Sequence, residues 1–295
     1  LGETFTAVAD CAGRFSLENL APGEYQAVFK QDWYEDLSCS YRHLGKAGEV
    51  EFIMRNKPLE GGIIYSSNEG GEAKREIYYL DLTNRTVSKI YGVAGSSENH
   101  PAKLTGTQII FQSDCNGGQN DLFIYDLQTK AMETICVSPA DEEHPTADVA
   151  GAKIAFQSLR NGSRQVFLYD RRVGTEPRLV ANGQNPAISP DGNQIAYVDG
   201  SYHLWIYDDN LKTSRKVDHS YKFNNPCWNP AGTAVAVEAW AETEKRRIYL
   251  INDPYNSDLL RQVTYDYATS DKHTHPCWSG DGEIIYFTAN ICYSS

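Results

Sequence analysis

Apolar residues in this chain fall into short runs of five or six, bounded by Gly, Pro, Asn and Asp, and the runs recur. QIIFQS (108–113), KIAFQS (153–158), QIAYVD (194–199), AVAVEA (234–239) and EIIYFT (283–288) each follow an Asn-Pro or His-Pro step and a short polar turn. Behind the first four comes a second run that ends near an acid: LFIYD (122–126), VFLYD (166–170), LWIYD (204–208) and RIYLIND (247–253). Runs this short, rich in β-branched and aromatic residues and separated by turn formers, predict strands rather than helices. The opening prolines, Pro101, Pro145, Pro186, Pro226 and Pro276, lie 44, 41, 40 and 50 residues apart. A period near that length, with several strands per unit, predicts a β-propeller. An earlier partial unit reads GGIIYSS (61–67), EIYYLDL (76–82) and TVSKIY (86–91) and lacks the innermost Asn/His-Pro strand. The unit opened by His275 gives only two strands, so the count predicts six blades with the last incomplete.

Residues 1–56 do not carry the repeat. ETFTAVAD (3–10), GRFSLENL (13–20), EYQAVFK (24–30) and VEFIM (50–54) read as strands, with turns at Asp10 to Gly13 and at Ala21-Pro22-Gly23. Gly13 suits a hairpin turn, Pro22-Gly23 suits a type II turn, and Phe15 and Tyr25 are candidates for a small core. Asp10, Gly13, Arg14, Phe15, Leu20, Pro22, Gly23 and Tyr25 together resemble the carboxypeptidase-regulatory-like module, which implies a small Ig-like (transthyretin-like) β-sandwich over 1–56. Such modules begin with another strand or two, and only about ten residues precede the Gly-Arg-Phe hairpin here. The first strand is therefore expected to be missing, and an open edge of this kind invites strand complementation, including self-assembly.

NPAISPDGNQIAYVDG (185–200) resembles the TolB-like (WD40-like) propeller repeat, through Ser189, Pro190, Asp191 and Gly192. Asn229-Pro230-Ala231-Gly232 and Ser279-Gly280-Asp281-Gly282 match the same turn in part, while the second and third blades keep only Gly106 and Gly151. The expected fold class is all-β, an Ig-like sandwich followed by a propeller over 57–295.

Charge narrows the partners. With 39 acidic against 27 basic residues the net charge is -12, which disfavours nucleic acid and anionic lipid surfaces. No apolar run is long enough to span a bilayer as a helix. The chain opens at Leu1-Gly2-Glu3 with neither Met nor a signal peptide and reads as a processed or trimmed product. Two acceptor triplets for N-glycosylation, at Asn84 and Asn161, fall in expected surface turns and agree with an exported protein. There are seven cysteines and no C-x-x-C spacing. Cys11 with Cys39, Cys115 with Cys136, and Cys227 with Cys277 are candidate disulfides, the last at the same place in successive blocks, NPCW and HPCW.

The residues before the prolines, His100, His144, Asn185, Asn225 and His275, should ring one mouth of the central channel. Three converging His can hold a divalent metal, although no cofactor is required; the other reading has each residue capping a turn or bonding the next blade. Neighbouring Glu98, Glu142, Glu143 and Asp271 read as solvated loop charges, and Asp81, Asp126, Asp170 and Asp208 as turn formers repeated once per blade. Trp228 and Trp278 read as packing between blades. The longest insertion, 252–274, carries Tyr255, Tyr265, Tyr267 and His273 and is the candidate contact loop.

No nucleophile elbow, P-loop, GxGxxG or HExxH motif occurs. The sequence therefore points to an exported interaction scaffold for protein or glycan, in a narrower form a structural subunit of a cell-surface or extracellular assembly. The alternative is a carbohydrate-active enzyme, since some propeller polysaccharide lyases use a His-bound metal.

Overall fold

The computed structural model describes residues 5–7, 15–17, 19–29, 37–45, 61–68, 74–135, 138–174, 176–241, 245–265 and 272–289. Two units result, Leu1–Glu60 and Gly61–Ser295. The described residues contain strands and turns and no helix.

In the first unit β1 (Gly23–Phe29) and β2 (Leu37–His43) form an antiparallel hairpin that sets Tyr25 opposite Tyr41. The Tyr25 hydroxyl donates to the Ala21 carbonyl at 2.7 Å, which ties the strand to the turn before it. Phe5 approaches the Tyr25 ring edge-on at 6.3 Å and Phe15 lies 5.6 Å from Phe29, but Phe15 is 39% exposed, so it does not fill a buried core as expected. The strand at β2 was not expected. Asp10, Gly13, Arg14 and the segment 50–54 lie outside the described residues, and the described parts of the other two expected strands, 5–7, 15–17, 19 and 20, are not strand.

The second unit is a succession of antiparallel meanders in a propeller arrangement of five blades. The first blade has three strands, β3 (Gly62–Ser67), β4 (Glu76–Asp81) and β5 (Thr86–Tyr91). The second is β6 (Glu98–Lys103), β7 (Gln108–Ser113), β8 (Asp121–Asp126) and β9 (Met132–Ile135). The third is β10 (Glu142–Ala147), β11 (Lys153–Ser158), β12 (Gln165–Asp170) and β13 (Arg178–Asn182). The fourth is β14 (Gln184–Ile188), β15 (Gln194–Val198), β16 (Leu204–Asp208) and β17 (Thr213–Lys216). The fifth is β18 (Lys222–Trp228), β19 (Ala234–Trp240), β20 (Arg247–Asn252) and β21 (Leu260–Gln262). A two-stranded sheet follows, β22 (His273–Trp278) with β23 (Ile285–Ala289), lying against β18, β19 and β20.

The core lies between neighbouring blades. One cluster joins Ile110, Leu122 and Ile124 of the second blade to Ile154, Phe156 and Phe167 of the third; another joins Val198 and Ile206 of the fourth to Val235, Val237 and Ile251 of the fifth. Middle strands are covered on both faces, which explains their near-continuous apolar runs in place of simple alternation. Trp228 and Trp278 reach across these interfaces: their indole N–H groups donate to the Ala187 carbonyl at 3.0 Å and the Cys227 carbonyl at 3.2 Å.

The turn after each inner strand is built by side chains. Ser189 Oγ accepts the Gln194 N–H at 2.9 Å and donates to Asp191 Oδ1 at 2.6 Å, and Gly192 takes φ 72°, a left-handed value that any Cβ would strain. Ser279, Asp281 and Gly282 repeat this turn. Where Ser is lost, another acceptor replaces it: Asn229 Oδ1 takes the Thr233 and Ala234 N–H groups, and Asp148 Oδ1 takes those of Ala152 and Lys153. In the last unit the Ser279 N–H bonds the Ile284 carbonyl as Ser189 bonds Gln194. The run that aligns with QIAYVD is therefore IIYFTA (284–289), one residue later than EIIYFT.

Asp81, Asp126, Asp170 and Asp208 form hairpin turns: each accepts a backbone N–H two or three residues on, at 2.8–3.0 Å, as in Asn84 to Asp81 and Asn210 to Asp208.

Candidate functional site

The five expected ring residues occupy one repeated backbone device. Every inner strand from β6 to β22 slips register at the same place, between Asn99 and Ala102, Glu143 and Thr146, Gln184 and Ala187, Asn224 and Cys227, and Thr274 and Cys277. Within each bulge His100, His144, Asn185, Asn225 and His275 have φ of 49°, 52°, 50°, 44° and 53°. Asn and His are among the residues that enter this left-handed region most readily, and the proline that follows has no N–H to give to a ladder. The recurring Asn/His-Pro step is thus the local code for the bulge.

In three of these strands the preceding blade supplies an acceptor for the N–H at the bulge. Gln112 Oε1 takes the His144 N–H at 2.9 Å, Gln157 Oε1 takes that of Asn185 at 2.9 Å, and Glu238 Oε1 takes that of His275 at 2.8 Å. These acceptors share one position on the second strand of their blades. In the fourth blade that position is Val198, which has no polar atom to offer Asn225. The signal in sequence is a polar residue in an otherwise apolar run, which the strand pattern alone does not interpret.

The side chains converge in part. The rings of His100 and His144 lie 3.7 Å apart between centroids, at 37°. Burial holds His100 down to about 4 from an ordinary 6.5, helped by the positive charges of His275 and Arg75. The same causes hold His144 down to about 3, with His100, His275 and Arg164 adding to burial. Both imidazoles are therefore neutral near pH 7, serving as one donor and one acceptor each rather than as proton-transfer groups poised for neutral pH. Asn185 Nδ2 donates to Asn224 Oδ1 at 2.6 Å, and Asn225 Nδ2 donates to Glu238 Oε1. His275 is the open member, 58% exposed, with Nδ1 3.9 Å from Glu238 Oε1.

The acids beside the ring do not behave as solvated loop charges. Glu98 and Glu142 are both 0% exposed, as is Glu238. Glu98 accepts from Ser96 and Ser113, and Glu142 from Ser138, Ser158 and Arg160. Burial raises the Glu142 carboxyl, against the lowering effect of those hydrogen bonds. Glu143 accepts from Gln157 at 2.8 Å and from Asn120 at 3.3 Å. These carboxylates lock strands together. Asp271 lies outside the described residues.

Among the described residues no group of three or more His, Cys, Asp or Glu is arranged to hold a metal ion. His100 and His144 meet ring against ring, a poor geometry for pointing two nitrogens at one ion. Among the described residues, then, the ring positions are not joined by a third His, Cys, Asp or Glu in a metal-holding group.

The candidate contact loop is dispersed by folding. His273 belongs to β22, is 4% exposed and packs its ring 4.9 Å from Phe287, so it sits inside rather than on a contact surface. Tyr255 packs against the apolar cluster of the fourth and fifth blades, its hydroxyl 3.4 Å from Thr213 Oγ1. Tyr265 is 61% exposed, and Tyr267 lies outside the described residues. Asn84 and Asn161 are exposed in hairpin turns, with their amides donating to Asp81 and Gln165. Cys39, Cys115, Cys227 and Cys277 are free thiols, while Cys11 and Cys136 lie outside the described residues.

No family model matches the chain, and no curated protein matches it in sequence. Solved structures do match in fold. TolB from Acinetobacter baumannii superposes with a TM-score of 0.65 at 15% identity, over 78% of this chain and 58% of that one. This chain therefore spans somewhat more than half the length of that TolB. A putative TolB from Agrobacterium tumefaciens gives a TM-score of 0.61 at 15% identity, covering 78% of this chain and 79% of that one. An oligogalacturonate lyase in complex with manganese gives 0.56 at 16% identity, covering 76% and 66%. At this level of identity the likeness shows architecture alone. The fold shown is a β-propeller, similar to those of the two TolB structures.

Proposed function

We infer that this chain is an exported, non-catalytic interaction scaffold whose propeller mouth binds a protein or a glycan. The observation that carries it is the ring itself: five left-handed Asn/His positions present side chains at equivalent places, and its two adjoining imidazoles are held neutral. Neutral imidazoles at those two positions offer hydrogen-bond donors and acceptors, which suits recognition better than proton transfer there. The exposed triplets at Asn84 and Asn161 support export.

In its narrower form the chain is a structural subunit of a cell-surface or extracellular assembly. On that reading the sheet β22–β23 is the start of a sixth blade, since it repeats the bulge, the turn and the Trp bond of the blade before it. Residues 1–56 then form the Ig-like module, and strand addition at an open edge is the means of assembly.

The second reading, a carbohydrate-active enzyme with a His-bound metal, draws on the likeness to the manganese-bound oligogalacturonate lyase. It stands second because that likeness, at 16% identity, carries the fold and no residue role.

One experiment separates the two. Wild type and a His100→Ala/His144→Ala double variant are applied to a glycan array and to candidate extracellular proteins, and in parallel to oligogalacturonate with and without manganese. Binding that the double variant loses, with no turnover, is the expected result. Manganese-dependent turnover that the variant loses would overturn the scaffold reading in favour of the enzyme.

A further inference from the structure

Cys227 and Cys277 stand two residues beyond the left-handed Asn225 and His275 in successive inner strands, on opposite sides of the interface between β18 and β22. The two thiols are close enough for each to shift the other's ionisation. Each also lies against the carbonyl of the Trp that follows it, at 3.8 Å for Cys227 and 3.7 Å for Cys277, so both side chains leave their strands in the same way. The Trp278 indole bond to the Cys227 carbonyl pins this interface beside the sulfurs. Side chains at this position reach the next inner strand elsewhere in the ring: Thr146 Oγ1 accepts the Ile188 N–H at 3.2 Å.

The geometry points to Cys227 and Cys277 as a modification site, a thiol pair that takes a disulfide and so staples the two-stranded sheet β22–β23 to the fifth blade. The oxidant is a small-molecule disulfide. Cys277, the exposed member, has its thiol held below the usual range by the Cys227 thiol beside it, while Cys277 and burial push Cys227 up. Cys277 thiolate attacks one sulfur of the oxidant, forming a mixed disulfide and releasing one small thiolate. Cys227 then loses its proton and attacks Cys277 Sγ; the Cys227–Cys277 bond forms and the second small thiolate leaves. Two protein thiols are oxidised, one disulfide is reduced to two thiols, and the released thiolates take up the protons.

The staple does not depend on the binding reading, and its test reads only thiol chemistry. The whole chain is incubated with oxidised glutathione and digested without reduction. The expected product is one peptide pair joining residues 227 and 277, two hydrogens lighter than the separate peptides. Oxidation should also raise the thermal midpoint of wild type, and that rise should vanish in both Cys227→Ser and Cys277→Ser. Full labelling of both cysteines by a maleimide after oxidation would overturn the proposal, as would linkage of Cys277 mainly to a second chain. The peptide map uses wild type, so it decides the matter even if a serine variant fails to fold.

Discussion

The fourth blade and the sheet β22–β23 carry the same local code and reach different degrees of burial. Both have the Ser-x-Asp-Gly turn with the same side-chain bonds, the same bulge and a left-handed residue before proline. Yet Ile195, Ala196, Tyr197 and Val198 of β15 are at most 4% exposed, whereas Phe287 of β23 is 41% exposed. The turn is satisfied within one hairpin, by residues five positions apart, and the N–H at the bulge needs only one acceptor from the preceding blade. Burial needs a neighbouring blade on each side, which the repeat cannot supply by itself.

The largest contrast is expected from one equivalent pair of core residues. Phe111 and Phe287 both lie opposite the bulge, but Phe111 is 0% exposed. Phe111→Ala should cost about 3–5 kcal/mol in denaturant unfolding, while Phe287→Ala should stay within about 1 kcal/mol. Equal losses would mean that β23 is as well covered as β7.

Protonation sharpens the comparison next. The folded values of about 3 for His144 and about 4 for His100 lie below the ordinary 6.5, so the unfolded chain takes up protons first as pH falls. Stability held above pH 6.5 is then lost progressively, until the folded values themselves are passed. Between pH 7 and pH 5 the His144 contribution should amount to about 2 kcal/mol or less. His144→Asn keeps a side chain that tolerates the left-handed backbone and should flatten that part of the profile. Denaturant midpoints at the two pH values provide the check.

The smallest effect tests the local half of the comparison. Ser189→Ala and Ser279→Ala should each cost about 1 kcal/mol, because each leaves one backbone N–H without its acceptor. A clearly larger loss at Ser189 would show that the turn depends on its surroundings. Hydrogen exchange at Gln194 and Ile284 would report the two sites separately.

Much of the propeller is legible in sequence because its middle strands are apolar on both faces, as in IAFQS and IAYV. The fourth strands are not. Met132–Ile135 and Thr213–Lys216 are mostly exposed and polar, so nothing in their pattern separates them from loops. β2, LSCSYRH, fails for the same reason. The ring residues are legible as a set because five copies align, and the backbone reason for them, a bulge that wants Asn or His before Pro, is local. Their anchors are hidden. Gln112, Gln157 and Glu238 sit 32, 28 and 37 residues from the N–H groups they hold, in a neighbouring blade. The burial of Glu98 and Glu142 likewise depends on Ser113 and Ser158, 15 and 16 residues away across a hairpin. His273, placed by its chain position in a long insertion, turns inward because β22 begins there.

The claim that the mouth is a neutral recognition surface rests on two imidazoles, and their titration is the direct test. Ring resonances of His100 and His144, assigned through His→Asn variants, are followed by NMR from pH 8 to pH 3. Midpoints near 4 for His100 and near 3 for His144, with the rings neutral throughout the physiological range, are the expected result. A midpoint between about 6.5 and 7 for either ring would make it a proton-transfer group in waiting and would contradict the binding-surface reading.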